Sequence, residues 1–179
     1  MFEDEVLKWK FKRGNGDALE LIYRKYLDSM LTLAMGLLND KHAAEDVVQD
    51  VFVSFAQARR SFRVRGSLSG YLATSVVNRV RDVQRRRSRH RTRVEDGGSS
   101  AEASSPEQVV ILDEQAELLI RAVADLPQTQ REVVLMRLKA GMKYRDIAKL
   151  QQTSVNTVVS RYRYGLERLR STINGEIKI

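Results

Sequence analysis

LPQTQREVVLMRLKAGMKYRDIAKLQQTSVNTVVSRYRYGLERLR, residues 126–170, decides the fold. Pro127 opens an apolar stretch, and proline suits a first helical turn because the N–H it lacks would have no partner there. The pattern predicts a helix from Pro127 to about Lys139, a second near Tyr144–Gln151 and a third over Ser154–Ile173, with a tight connection at Gln152–Thr153. Ser154 suits the N-cap of the last helix, since its hydroxyl can accept from an orphan N–H of the first turn. Along that helix Val158, Tyr162, Leu166 and Leu169 recur at spacings of four, four and three, which makes them the buried stripe. Asn156, Thr157, Ser160, Arg161 and Arg163 lie off the stripe, toward the N-terminal half. Two helices joined by a few residues, the second polar and basic, form a helix-turn-helix pattern. Many helical hairpins share the apolar spacing; the basic flank and the capped second helix favour a DNA-reading one. In such a motif Asn and Arg pair with adenine and guanine edges, and Thr and Val meet thymine methyls. A solvated face whose arginines aid solubility is the alternative reading of the same positions.

Upstream, the chain also reads as helical. Leu19, Ile22, Tyr23, Tyr26, Leu27, Met30, Leu31, Ala34 and Leu38 repeat at helical spacing, with Asp17 as candidate cap. A second stripe runs Ala44, Val47, Val48, Val51, Phe52 and Phe55, with Asp40 as cap. A third runs Leu68, Leu72, Val76, Val80 and Val83, and Phe2 to Lys12 forms a shorter amphipathic helix. Val109, Leu112, Ala116, Leu119, Ile120 and Val123 open the second half in the same manner. The expected fold is all-α: two small helical domains joined by a flexible linker, the second carrying the helix-turn-helix.

Charge divides the chain. Residues 1–78 hold 11 basic and 10 acidic side chains. Residues 79–93 hold eight arginines against Asp82 alone, residues 94–114 hold six acids and no Lys or Arg, and residues 115–179 return to 12 basic against six acidic. The stretch VEDGGSSAEASSPE buries too little to offset its ordering entropy and reads as a flexible spacer, whose length should matter more than its charge. The domains are therefore expected at 1–93 and 107–179, around an acidic linker at 94–106. A net charge of +8 favours a polyanionic partner. Eight arginines in fifteen residues suit phosphates, and Tyr71, Asn78 and Asp82 on the same helix suit stacking on unpaired bases and hydrogen bonding to them. Beyond Arg87, a frayed basic tail that binds any polyanion explains the pattern equally well. Asp46, Gln49 and Asp50 form an acidic face, which would repel DNA; on spacing alone it meets water.

Several chemistries are excluded. With no cysteine, there is no disulfide, thiolate nucleophile or cysteine-held zinc within the chain. His42 and His90 are too few and too scattered for a metal site. No phosphate-binding glycine loop or nucleophile elbow occurs, so neither an enzyme nor a cofactor is expected. No apolar run is long enough to span a bilayer and no signal core opens the chain, so a cytoplasmic protein without membrane insertion is expected.

Three stretches resemble the extracytoplasmic-function (ECF) group of the sigma-factor family, over about residues 15–172. DALELIYRKYLDSMLTLAMGLLNDKHAAEDVVQDVFVSFAQ looks like its first conserved helices, with AEDVVQDVF the most specific piece. SLSGYLATSVVNRVRDVQRRR resembles its promoter-melting helix, and residues 126–170 resemble its C-terminal helix-turn-helix. The resemblance implies that Asp46, Gln49, Asp50 and Phe52 dock on core RNA polymerase, which gives the acidic face a protein partner. It implies that Arg63, Arg65, Tyr71, Thr74, Asn78, Arg79 and Asp82 read and open the −10 element of promoter DNA. Val155, Asn156, Thr157, Val159, Ser160, Arg161 and Arg163 would read the −35 element. An anti-sigma factor is the further partner implied. The chain departs from the family pattern at Tyr71, where Trp is commoner, and at Ser75, where an apolar residue is. Gln152 stands where the turn usually has Gly, Thr153 where it has an apolar residue, and Lys143 where a Ser cap is usual. A stand-alone dimeric regulator would not need the acidic first-domain face, and a decoy that binds only an anti-sigma factor would not need the arginines.

Overall fold

Two asparagines and an aspartate set the long helices of the N-terminal half. The structure, a computed structural model, describes residues 2–61, 66–95 and 114–176. Helix α1 (Phe2–Lys12) leads into α2 (Gly16–Leu38), whose N-cap is Asn15: its side chain accepts from the Ala18 N–H at 3.0 Å. Asp17, expected as the cap, instead lies in the first turn, where its charge still meets the positive helix end. Asn39 ends α2 in a left-handed conformation, φ 51°, and its N–H closes on the Met35 carbonyl at 2.8 Å. Asp40 then caps α3 (Lys41–Gln57) as the sequence predicts, accepting from the Ala43 N–H at 3.0 Å. A 3-10 turn (Ala58–Ser61) follows, and then α4 (Leu68–Glu95).

These helices share one core. α2 buries Ala18, Ile22, Tyr26, Met30, Leu33, Ala34 and Leu37, a stripe rotated slightly from the predicted one, and it leaves Tyr23 exposed. α3 buries the whole stripe expected of it. Phe11 of α1 stacks on Phe55 of α3 at 4.3 Å between ring centroids. Polar contacts finish the attachment of α1: the Tyr26 hydroxyl donates to Asp4 at 2.7 Å, and Lys25 bridges Glu3 and Asp4 at 2.6 and 3.0 Å. Burial works to raise the Asp4 pKa, but the Tyr26 hydroxyl and the Lys25 ammonium outweigh it and hold the carboxyl below its ordinary range.

The C-terminal half comprises α5 (Glu114–Ala124), α6 (Gln128–Leu138), α7 (Tyr144–Leu150) and α8 (Val155–Glu176). Its core includes Val133, Met136, Ile147, Ala148 and Val158, with a smaller cluster of Ala122, Leu126, Val134 and Leu169 beneath α5 and α8. Leu119 and Ile120 were expected inward; they are 48% and 44% exposed, because α5 turns Ala122 toward the cluster instead. Val109 and Leu112 lie outside the described residues.

The two halves pack on each other through α6. Glu132, Val133, Val134, Leu135 and Met136 are all buried. Consecutive residues step about 100° around a helix, so this run covers the full circumference. Such a helix has neighbours on every side, and α6 touches α2, α7 and α8. Glycines let two of them approach. A Cβ on Gly36 of α2 would lie 2.7 Å from a Leu135 methyl, and one on Gly165 of α8 would lie 2.7 Å from a Val134 methyl. Glycine inside a helix costs about 1 kcal/mol relative to alanine; here both positions provide seats for α6. The joint is fastened by hydrogen bonds from the Ser69 hydroxyl to the Ala140 carbonyl at 2.6 Å and from Gln128 to Gln84 at 3.1 Å.

Asp40 yields a pH-dependent prediction. The Ala43 N–H first, then Arg87 at 2.7 Å, hold its carboxyl below the ordinary value of 3.8, against burial. A depressed carboxylate contributes stability that is complete above its unfolded-state pKa and is lost as pH falls through its folded value. Asp40→Ala should therefore cost about 1 kcal/mol at neutral pH. The gap to the parent protein should narrow as pH drops below 3.8. Denaturant titration of both proteins at pH 7 and pH 3 measures it; a gap independent of pH would mean that the charge is idle.

Candidate polymerase and nucleic-acid interface

Asp46, Gln49 and Asp50 stand exposed on α3, on the side opposite its buried stripe. Their spacing of three, then one, continues to Val53, which is 49% exposed, so these four make one continuous face. Phe52, expected in the docking set, is only 6% exposed and meets the edge of Tyr23 at 4.8 Å. It braces the face from beneath and offers a partner little surface. Tyr23 and Val53 are the exposed apolar groups beside the carboxylates, and the spacing of their own stripes did not mark them.

On α4, Tyr71, Thr74, Asn78 and Asp82 follow one another at three, four and four residues and form a second face, with Arg79 beside it. Asn78 and Asp82 are exposed, while Tyr71 is half-buried against Phe55 at 6.0 Å between centroids. The Thr74 hydroxyl donates back to the Gly70 carbonyl at 2.7 Å, leaving the oxygen's lone pairs and the methyl for an outside contact. Arg63 and Arg65 lie outside the described residues.

The arginine run of α4 is less free than its charge implies. Arg79 donates to Asp50 of the acidic face, with Nε at 3.1 Å and Nη2 closer. Arg81 pairs with Glu132 of α6 at 2.6 Å, and Arg87 pairs with the Asp40 cap at 2.7 Å. Arg86 and Arg89 are exposed, as is Arg85, whose nearest carboxylate is Asp82 at 3.8 Å. The sequence carries the partners of these arginines, but only tertiary packing shows that they meet.

The third face is on α8. Ser154 caps it as predicted, accepting from the Thr157 N–H at 3.0 Å. Val155, Asn156, Val159 and Arg163 are exposed; Thr157, Ser160 and Arg161 are partly buried. Arg163 lies over the Tyr164 ring, 4.9 Å from its centroid. Arg161 donates to Gln151 at 2.7 Å, and Gln151 in turn donates to Glu132 at 3.0 Å. The turn before α8 places Gln152 at φ 51°, the left-handed conformation that glycine adopts freely. Lys143 starts α7 with no side-chain cap.

Among the described residues no cluster of His, Asp and Glu is placed to hold a metal, and no helix is long and apolar enough to cross a membrane.

Comparison with known families now bears on these surfaces. Residues 22–90 match the model of sigma-70 region 2, and residues 116–169 match that of sigma-70 region 4. The chain belongs to the sigma-70 family. It is an ECF-type RNA polymerase sigma factor, a non-enzymatic subunit that directs promoter-specific initiation of transcription. Relatives of this sigma factor include the RNA polymerase sigma-H factor of Pseudomonas aeruginosa, 27% identical over 142 residues and covering 72% of each chain. Another is the ECF RNA polymerase sigma-E factor of Escherichia coli K12, 26% identical over 138 residues, again 72% of each. Two solved structures share its fold. The sigma factor RpoE in complex with the anti-sigma factor NepR from Bartonella quintana superposes with a TM-score of 0.66 at 23% identity, over 87% of this chain and 96% of that one. CnrH in complex with the cytosolic domain of CnrY gives 0.67 at 20% identity, over 96% and 97%. The region 2 match covers α3 and most of the arginine-rich α4; the region 4 match covers α6, α7 and most of α8, the helices of the helix-turn-helix.

The turn of this sigma factor generates a stability prediction. A non-glycine residue in the left-handed region costs roughly 1–2 kcal/mol, part of which glycine returns as unfolded-state entropy. Gln152→Gly should therefore stabilise the protein by about 0.5–1 kcal/mol. Thermal melting measures it; a loss of stability would show that the Gln152 side chain contributes more than the turn strain costs.

Proposed function

We propose that residues 1–93 form the unit that docks on core polymerase and opens the −10 element, and residues 107–179 the unit that reads −35, with 94–106 as their tether. One observation carries this reading: helices adjacent in space present faces of opposite chemistry. The α3 face of Asp46, Gln49 and Asp50 is acidic and suits a protein. The α4 face of Tyr71, Thr74, Asn78, Arg79 and Asp82 combines an aromatic ring, an amide and a cation, the set that stacks on and hydrogen-bonds unpaired bases. Arg63 and Arg65 belong with it on the resemblance alone. In the docking set Phe52 acts as a brace. On α8, Val155, Asn156, Thr157, Val159, Ser160, Arg161 and Arg163 cover the N-terminal half of the helix, the part that enters a major groove.

The Asp50–Arg79 pair joins the first two faces. A partner cation that takes Asp50 would release Arg79 toward DNA, so core binding and −10 contact are coupled in this reading. An anti-sigma factor is the proposed negative regulator, supported by the two solved relatives whose structures are complexes with such factors. The proposed place of action is the cytoplasm, where polymerase and chromosome meet.

Two substitutions test the assignments. Asp50→Lys should lower affinity for core polymerase at least about tenfold, consistent with reversal of a charge at a complementary interface, and should leave circular dichroism unchanged. Arg79→Ala should keep core affinity, which separates loss of the carboxylate from loss of the pair. Unchanged core binding by the lysine variant would remove the docking assignment. Arg161→Ala should cost about 1–3 kcal/mol on a matched −35 probe and little on a scrambled one. Equal loss on both would assign Arg161 to a phosphate, and no loss on either would take it out of the interface.

A further inference from the structure

We propose that Lys8 is a positioning residue for promoter reading: from α1 its buried ammonium holds the Gly66 carbonyl, and with it the first turn of α4, where the Tyr71 face can meet the −10 element. The inference rests on the assignment of that α4 face to −10.

Burial singles Lys8 out. Among the described residues, Lys8 and Glu132 are the charged side chains that lie buried. Glu132 meets Arg81 and Gln151. Lys8 lies on α1, ahead of residue 22, where the match to region 2 begins. Its Nζ donates to the Gly66 carbonyl at 2.6 Å, across 58 positions of sequence, and to Glu5 Oε1 at 2.5 Å. Glu5 is one turn back on the same helix with its side chain 68% exposed, so it balances the charge without tying α1 to anything else. Of the two bonds, the one to Gly66 reaches another element.

Gly66 is a point where an anchor has much to fix. Its φ is 123°, a region that side-chain residues rarely adopt, and a Cβ there would meet nothing within 4 Å, so glycine serves the backbone and not a close approach. Without an outside hold, α4 would start from the freest joint a chain can have. Ser67 follows and carries the start of the helix: its carbonyl accepts from the Tyr71 N–H at 3.1 Å, and its hydroxyl from the Gly70 N–H at 3.1 Å. The Gly70 carbonyl accepts in turn from Thr74. α1 also supports this face from behind, through Phe11 on Phe55 and Phe55 on Tyr71. Apolar contacts of that kind set a depth but are non-directional; the bond from Lys8 has a direction. It is not needed for stability. Gly66 is exposed, so water can replace Lys8 at its carbonyl, and an apolar chain of similar volume commonly replaces a buried charge without loss. What the ammonium adds is position.

Lys8→Met keeps the bulk of the side chain and removes its donor. The variant should bind core polymerase as the parent does, because the α3 face is untouched. On a promoter that the parent holoenzyme transcribes, varied one base at a time across −10, the preference for the best base should fall at least about threefold, with circular dichroism unchanged. Amide exchange in the isolated protein needs neither DNA nor polymerase. The Gly70 and Tyr71 N–H groups should exchange at least about threefold faster in the variant, and that of Ile22 on α2 at the parent rate. Asn78→Ala, on the −10 face itself, should lose preference too and serves as the control. Against that loss, an unchanged preference in Lys8→Met, or an equal fall in transcription from every −10 sequence, would overturn the proposal. So would exchange at the parent rate at Gly70 and Tyr71, and so would a loss of helicity, which would give Lys8 a merely structural role. If Asn78→Ala keeps its preference, the −10 assignment fails instead, and the exchange rates alone decide whether Lys8 holds α4.

Discussion

The two halves of this molecule are joined through a helix whose middle has no outward face. α6 buries residues on its whole circumference, and its neighbours come from both halves of the chain. Apolar surface removed from water drives the packing, but two glycines set how close it gets. Gly36 and Gly165 leave notches on opposite neighbours, and Leu135 and Val134 fill them. The exception to apolarity is Glu132, where side chains from both halves meet. Arg81 reaches it from α4 and Gln151 from α7, and Arg161 extends the chain of contacts to α8. A carboxylate in this position links the helix assigned to −10 with the helix assigned to −35.

The same economy governs the arginines. Composition presents α4 as a cationic rod. In the fold, Arg79, Arg81 and Arg87 each face a carboxylate from a different place: the middle of α3, α6 and the α3 cap. The Arg79 and Arg87 pairs lie toward solvent and contribute little stability. They nonetheless decide which cations stand ready for phosphate, and among the described residues of α4 those are the outer ones, Arg85, Arg86 and Arg89. The promoter contact proposed for Arg79 would require an exchange of partners, whereas contact by Arg86 would not.

Local structure was legible in the sequence wherever a local cause sets it. Apolar periodicity alone predicts α1, α3, α7 and the stripe of α8, and the oxygens of Asp40 and Ser154 mark their caps without tertiary information. The α2 cap shifted from Asp17 to Asn15 because the helix starts two residues earlier, at Gly16, a distinction below the resolution of periodicity. Errors of orientation have another origin. Tyr23, Leu119 and Ile120 lie near the borders of their stripes, where the neighbouring element decides which side is covered. The docking role proposed for the acidic face rests on the family resemblance, since exposed aspartates at helical spacing fit water equally well. The burial of Glu132 had no local signal beyond the run VVLM beside it, which is too continuous for a one-sided helix. The positive φ at Gln152 follows from its place in a tight turn, though the residue itself argues against it.

The notch at Gly36 has a consequence for the protein's lifetime. Were the two halves to part, Leu135 would lose its seat and α2 its cover, and a strip of leucine and bare backbone would face water. Exposed apolar surface of that kind attracts proteases and promotes self-association. A molecule opened at this joint would therefore be a perishable one. Packing at the Gly36 notch thus bears on how long a folded copy survives as well as on how its halves are held.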